Sequence, residues 1–363
     1  YTIRTKQILK NIDNRYKIIC FVKPEITKNN YKIYDIDGII YYYINNKLSY
    51  KNKLIDYIKN SKIKLIWSAS DNFNGLLGSE LSDYFNLKSI YELRGLWHYT
   101  RKYYEICENK FDKTFFENYD NKEKMACIKN DYILCENKNI LKICNKNYGI
   151  NLDKLYLLPN GNENTFNIVA KNLNNKPKLI FGYIGSIVSY EGLDNLITQF
   201  KKIDKTKYNT ELLIIGGGET IDAKKTISNI KSLIVNSDNI HYLGQIEFDQ
   251  IKKFYNKIDI ICLPRVNCEV CNIVTPLKPF EAMTNGNIVF ASSVDAIEEV
   301  IKHKYNGILF DSNNIDDLYD KMINILDRNY DLDMIIQNGY EYCKKNTWDN
   351  SCKDAFDIIS KVF

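Results

Sequence analysis

The stretch Thr275-Pro-Leu-Lys-Pro-Phe-Glu-Ala-Met-Thr-Asn-Gly286 brings a lysine, a carboxylate and a helix start within a few residues of one another. Pro279 suits a first helical turn, because the N–H that proline lacks has no intrahelical partner there. Asn285-Gly286 closes the helix, since both residues tolerate positive φ. The helix then presents free N–H groups and partial positive charge beside Lys278, a seat for an anion and most naturally a phosphate. Glu281, in the same first turn, can hold the vicinal hydroxyls of a sugar through two hydrogen bonds. These residues describe a nucleotide-sugar site. A charged helix start on an ordinary strand–helix unit describes them equally well, and the residues alone do not choose.

Arg94 is a second candidate. It follows a strand at residues 89–93, and open α/β sheets place their ligands at the carboxyl ends of strands. Gly95 beside it lets backbone and ligand approach closely. A structural arginine paired with Glu92 is the alternative; position and neighbours favour the cleft. His98, one residue beyond Trp97, reads as a rim or packing residue. Cys268-Glu-Val-Cys271 has C-x-x-C spacing but no second pair and no nearby histidine, so core thiols are preferred to zinc or redox chemistry. Asp35-x-Asp37 resembles a metal-binding pair but sits at an Asp-Gly turn between two strand-like runs, which reads as a hairpin.

The elements that position these residues alternate. In the second half, strands at 179–184, 211–215, 240–243, 258–263 and 288–292 each meet a glycine, a polar loop or a helix, and repeated strand–helix units of this kind make a doubly wound parallel sheet. The first half reads as a helix at 2–12, strands at 17–23, 32–44 (two), 63–67, 89–93, 132–135 and 155–158, and helices at 53–60 and 76–86, with 68–75 as a loop. Helix before strand is an unusual opening for such a domain. We expect its first central strand to be absent from this sequence. An Asn-rich stretch, 162–177, reads as the interdomain linker. The division expected is 1–165, 166–345 and a closing helix within 346–363 that returns to the first domain.

The bulk numbers set limits. With 363 residues, 45% of them hydrophobic, the chain is globular and long enough for two domains. A net charge of +5, from 50 basic and 45 acidic residues, is too balanced to argue for nucleic acid. Ten cysteines at irregular intervals read as reduced core residues. The longest apolar runs, such as 39–44, are too short to span a bilayer.

Taken in order, Tyr1-Thr-Ile-Arg-Thr5, Tyr91-Glu-Leu-Arg-Gly-Leu-Trp97, Pro159-Asn-Gly161, Gly182-Tyr-Ile-Gly-Ser186 with Tyr190-Glu-Gly-Leu193, Gly216-Gly-Gly218 and Val274-Thr-Pro-Leu-Lys-Pro-Phe-Glu-Ala-Met283 resemble the GT-B glycosyltransferases. Within them the chain looks like family 4, retaining nucleotide-sugar transferases, and a subgroup tied to exopolysaccharide and surface-glycan synthesis. The resemblance implies an α/β fold of two Rossmann-like domains facing a cleft. It implies transfer of a sugar, hexosyl in type, from a nucleotide-diphosphate donor to a glycan or lipid-linked acceptor, with retention and without a metal or other cofactor. A cytoplasmic site is implied, with association at the inner face of a membrane left open. An inactive sugar-nucleotide-binding module of a larger polymerase, or a GT-B epimerase or phosphorylase, is the alternative.

The resemblance carries over unevenly. Glu281 matches the second Glu of the family's Glu-x7-Glu pattern and is implied to bind the donor ribose. The first falls on Ile273, with Glu269 and Asn272 nearby but out of register. Ser186 and Glu191 stand where many relatives carry Arg and Lys for the diphosphate. Arg265 and Lys278 are the substitutes expected, with the backbone N–H groups of Thr275, Pro276 and Leu277 and the Gly185–Ser186 turn. Arg94 aligns with an active-site His of relatives, and Gln245-Ile246 with their nucleobase seat.

Overall fold

A computed structural model describes residues 2–12, 16–22, 31–44, 47–163 and 171–362. The second domain is one sheet of six strands: β8 (Leu179–Ile184), β9 (Thr210–Ile215), β10 (Ile240–Gly244), β11 (Ile260–Leu263), β12 (Ile288–Ser292) and β13 (Ile308–Phe310). All pair in parallel, in the order β10-β9-β8-β11-β12-β13. Helices cover both faces, so the strands are apolar runs without alternation. Phe181, Ile214, Ile260 and Phe290 are buried on one face; Leu213, Ile261, Val289 and Ala291 on the other. Each large side chain buried this way stabilises the fold by about 1.5–3 kcal/mol.

The first domain is built differently. β4 (Leu65–Ala69), β5 (Lys88–Leu93), β6 (Tyr132–Cys135) and β7 (Leu155–Leu157) form a parallel sheet in simple order. β1 (Ile19–Val22), β2 (Tyr31–Ile36) and β3 (Ile39–Ile44) form a separate sheet, ordered β1-β3-β2. β2 and β3 are an antiparallel hairpin whose turn residues Asp37 and Gly38 have φ 55° and 80°. Asp35 accepts from Gly38 N there and Asp37 pairs with Lys6, so these carboxylates belong to the turn.

Several elements differ from expectation. The loop read at 68–75 ends early: the helix Asn72–Phe85 begins inside it and ends at Asn86 in the left-handed region. The helix Trp97–Cys107, which supplies one wall of the cleft, and the helix Lys113–Lys129 had no counterpart in the sequence reading. Of the expected linker, 164–170 lie outside the described residues. Residues 171–177 are tied to the second domain, with Leu173 N donating to Asp333 and Lys176 paired with Asp259.

Two crossings join the domains, and they run side by side. Asn162 N donates to Asn346 O and Trp348 N donates to Asn162 O, both at 3.1 Å. Gly161 is required there, because a Cβ would lie 2.6 Å from Trp348 N. The chain then enters the helix Lys353–Val362, whose Ala355, Ile358 and Ile359 pack on Ile8, Ile90, Leu134 and Leu158 of the first domain.

Candidate functional site

The carboxyl ends of β8, β9, β10 and β11 converge on one edge of the second sheet. The glycines at the ends of β8, β9 and β10 are laced together: Gly185 N donates to Ile215 O, Ile187 N to Gly217 O and Gly216 N to Gly244 O, at 2.9–3.0 Å. Gly185 has φ 156°, and a Cβ on it would lie 2.4 Å from Lys278 Cε. A lysine stem from the helix Lys278–Thr284 therefore crosses directly over this turn.

Lys278 Nζ donates to the Tyr183 hydroxyl at 2.7 Å and to Glu191 Oε2 at 3.0 Å. Arg265, on the loop after β11, donates from one terminal nitrogen to Glu191 Oε1 at 3.1 Å and from the other to Val274 O at 2.9 Å. Its Nε–H is buried and has no partner among the described residues. Glu191 is buried. Burial pushes its pKa up, but Arg265 and Lys278 outweigh that and hold it at about 2. Burial lowers the Lys278 pKa, and Glu191 opposes the drop.

The other expected residues surround this cluster. Glu281 is exposed in the first turn of its helix, and its Oε2 accepts from the buried Tyr255 hydroxyl at 2.9 Å. Ser186 is exposed, its carbonyl accepting from Tyr183. Gln245 is exposed beside Gly217, and Ile246 is half-buried against the core below. Thr275 and Pro276 are buried and Leu277 precedes the helix. Pro276 carries no N–H, so only Thr275 and Leu277 of this run have one to offer, a correction to the expected backbone set. Cys268 and Cys271 are free thiols, Cys271 facing Tyr190 O. Among the described residues no three His, Cys, Asp or Glu side chains come together as a metal site.

Arg94 meets both of its sequence readings. It lines a cavity of about 610 Å³ with Trp97 and Tyr104 of the first domain and Tyr190, Asp222 and Arg265 of the second. Its guanidinium is nevertheless bidentate on Glu92, at 2.9 and 2.7 Å, and donates to Thr5 at 2.6 Å. Arg4 brackets Glu92 from the other side at 2.8 Å. Burial pushes the Glu92 pKa up, but the two arginines together hold it below its ordinary value. The cation expected to act from the first domain is therefore committed to a buried carboxylate. His98 is buried and pairs with Asp120, a packing residue.

The sequence reading missed the seam between the domains. Asn137 donates to Ile273 O at 2.6 Å and Thr275 Oγ1 at 3.1 Å, and Asn160 donates to Thr275 O at 3.1 Å. Lys138 N and Asn139 N, at a helix start, donate to the Glu299 carboxylate, a favourable place for an anion. Asn160 also donates to buried Glu136 at 2.5 Å. Burial raises the Glu136 pKa to about 7. On the first-domain side of the seam only Asn160 left a trace in the sequence, in the motif Pro159-Asn-Gly161.

Comparisons with known proteins agree with this architecture. Residues 164–342 match the family model described as glycosyl transferases group 1. An uncharacterized glycosyltransferase of Methanocaldococcus jannaschii is 28% identical over 238 residues, covering 62% of this chain and 58% of the relative. The chain spans about half the length of the curated relatives it matches. Among solved structures, sucrose-phosphate synthase from Thermosynechococcus elongatus superposes with a TM-score of 0.79 at 17% identity, covering 99% of this chain and 93% of that one. Anabaena HepE, solved with UDP, gives 0.70 at 12% identity, covering 86% and 82%. The fold is GT-B, and the second domain is related to the group 1 glycosyltransferases.

Proposed function

We propose that this chain is a glycosyltransferase of the family 4 type, moving a sugar from a nucleoside-diphosphate donor to a glycan or lipid-linked acceptor with retention of configuration and without a metal. The observation that carries the reading is the meeting at Glu191 of Lys278, which crosses the Gly185 turn, and Arg265, which lines an interdomain cavity, in the domain that matches the group 1 model. Two cations and one carboxylate leave that point with a net positive charge. Negative charge grows on a diphosphate as its glycosidic bond breaks, and preorganised cations in a dry site stabilise it. Lys278 and Arg265 are assigned that work. Glu281, oriented by Tyr255, is assigned the donor ribose, and Gln245 with Ile246 the base.

The departing phosphate takes the acceptor's proton, so no second carboxylate couple is needed on the sugar. Trp97, Tyr104 and Tyr190 give the cavity aromatic faces for the acceptor. The cavity's other arginines are already paired, Arg94 with Glu92 and Arg101 with Glu105, which favours an uncharged sugar end there. The seam at Asn137 and Asn160 holds the domains together around the donor loop and keeps water, a competing acceptor, out. We place the work at the cytoplasmic face, in surface-glycan synthesis. Among the described residues no helix is long and apolar enough to cross a membrane.

The test is release of nucleoside diphosphate from a panel of nucleotide sugars, with and without saccharide and lipid-linked acceptors and with and without a chelator. Acceptor-dependent, chelator-insensitive release with retained anomeric configuration is expected. Binding without release under any condition would favour an inactive sugar-nucleotide-binding module, the reading that Ile273 in place of a glutamate supports.

A further inference from the structure

The loop Gly185-Ser-Ile-Val-Ser-Tyr-Glu-Gly192 lies at the centre of the cluster and contains no cation of its own. What it contributes is an anion. We propose that Glu191 is a positioning residue for the donor diphosphate: its buried carboxylate draws Arg265 and Lys278, from two separate segments, into one fixed pair above the Gly185 turn. This rests on the donor reading above and deepens it, because it says how a loop without cations comes to hold a phosphate.

The geometry separates this role from that of a rival anion that leaves when a donor arrives. Glu191 ends a short 3-10 turn, Ser189–Glu191, capped by Gly192 at φ 68°. A Cβ at Gly192 would lie 2.0 Å from Pro264 O, so the loop is pressed against the residue preceding Arg265. Val266 N donates to Tyr190 O at 3.0 Å on the other side of Arg265. The carboxylate is therefore fastened at both of its neighbours to the loop that carries its partner. Each of its oxygens takes one cation, and it is 3% exposed.

The arrangement also leaves donors over. Among the described residues Lys278 has two hydrogen-bond partners for its three N–H groups, and the buried Arg265 Nε–H has none. Two buried cations this close repel each other, and a neutral lysine is the cheapest relief. Glu191 opposes that. The charged and titratable groups facing Lys278 and Glu191 are Arg265, Tyr183, Tyr190, Cys271 and Glu281. Among them Glu191 is the carboxylate bonded to both cations; Glu281 gives its bond to Tyr255.

The experiment measures binding of UDP, GDP and ADP to the full chain by calorimetry. The nucleotide that binds wild type most tightly is then followed from about pH 7 to about pH 9.5, where lysine begins to titrate, and each variant is compared with wild type at the same pH so that ionisation of the nucleotide's own phosphate and base cancels. Wild-type affinity should fall little over that range, because Glu191 opposes the loss of the Lys278 proton. Glu191→Gln should lose about tenfold or more across that range as Lys278 surrenders its proton. Glu191→Asp should keep the wild-type profile with weaker binding. Adding Lys278→Arg to Glu191→Gln should flatten the profile again, because arginine stays charged throughout. Glu191→Gln binding more tightly than wild type at every pH would make Glu191 a rival anion and overturn the proposal. An unchanged profile in Glu191→Gln, with Lys278→Ala still weakening binding, would remove Glu191's role and leave the donor seat standing. If no nucleotide binds wild type, the seat itself fails and the proposal with it.

Discussion

The walls of the cavity carry the same device twice. In the first domain Glu92 is bracketed by Arg4 and Arg94; in the second Glu191 is bracketed by Arg265 and Lys278. Both carboxylates are buried and both clusters carry one surplus positive charge. Their remaining bonds differ. Among the described residues, the hydrogen-bond partners around Glu92 belong to the first domain: Arg4 also donates to Asn160 and Leu158 O, Arg94 to Thr5, and Trp67 adds a bond to Glu92. That cluster ties the first helix to β4, β5 and the turn after β7. Around Glu191, among the described residues, the buried Arg265 Nε–H has no partner and one Lys278 proton is left over. Every side-chain nitrogen of Arg4 and Arg94 has a partner, whereas among the described residues Arg265 Nε has none. A buried ion pair therefore says little about function, and a buried donor nitrogen without a partner beside it says more. On that ground the first cluster is a brace and the second a seat.

The comparison is open to attack on its largest effect first. Arg4→Ala leaves Glu92 buried with a single cation, and breaking a buried pair in this way costs about 3–5 kcal/mol. Chemical denaturation should register that loss, while nucleotide affinity per folded molecule stays near wild type. A stable Arg4→Ala protein with weakened nucleotide binding would move the brace into the seat.

Glu191 and Glu136 should answer pH in opposite senses. Glu191, held at about 2, contributes stability that is present above the usual carboxylate range and is lost as pH falls through it. Glu136, beside the first cluster, is raised to about 7 by burial. The native state keeps its proton while the unfolded chain gives it up, so stability declines as pH rises from about 4.5 to 7. Glu136→Gln removes that decline. It should stabilise the protein by roughly 3 kcal/mol at about pH 8 and by little at about pH 4.5. Denaturation at the two pH values checks it, and equal effects at both would show Glu136 to be ionised in the folded protein.

Glu281→Gln is the smallest change. It keeps the shape that meets Tyr255 and removes the charge, so nucleotide binding should weaken by about 1.5–3 kcal/mol, the range for hydrogen bonds to charged groups. A ribose-free probe such as pyrophosphate should bind as before. Equal weakening of both would take Glu281 off the ribose.

How much of this the sequence disclosed depends on distance along the chain. Five of the six strands of the second sheet were legible, because strands covered on both faces are plain apolar runs; the short β13 was not read. Lys278 and Glu281 share one helical turn and were readable together. The helices Trp97–Cys107 and Lys113–Lys129 were not, since Lys, Asn and Tyr blur their apolar faces. Ser186 and Glu191 looked like a lost phosphate clamp. The cations that answer them stand 74 and 87 residues beyond Glu191, and only the fold shows that they meet its two oxygens. The same separation hid the seam, where Asn137 and Asn160 reach Thr275 across 138 and 115 residues. Arg94 was placed correctly at a strand end. Its pairing with Glu92, two residues back, was the local alternative that the folded chain adopts.

The most direct test sets Arg94→Ala beside Lys278→Ala and measures, for each, nucleotide release from the best donor together with the thermal midpoint. Lys278→Ala should lower kcat by about 10²–10³-fold, as loss of one preorganised charge donor does, with a fall in stability too small to account for it. Arg94→Ala should lose stability and keep kcat within a few-fold of wild type. A well-folded Arg94→Ala protein with kcat reduced as far as that of Lys278→Ala would contradict the account, placing the active cation on the first wall and making the Glu92 cluster part of the seat.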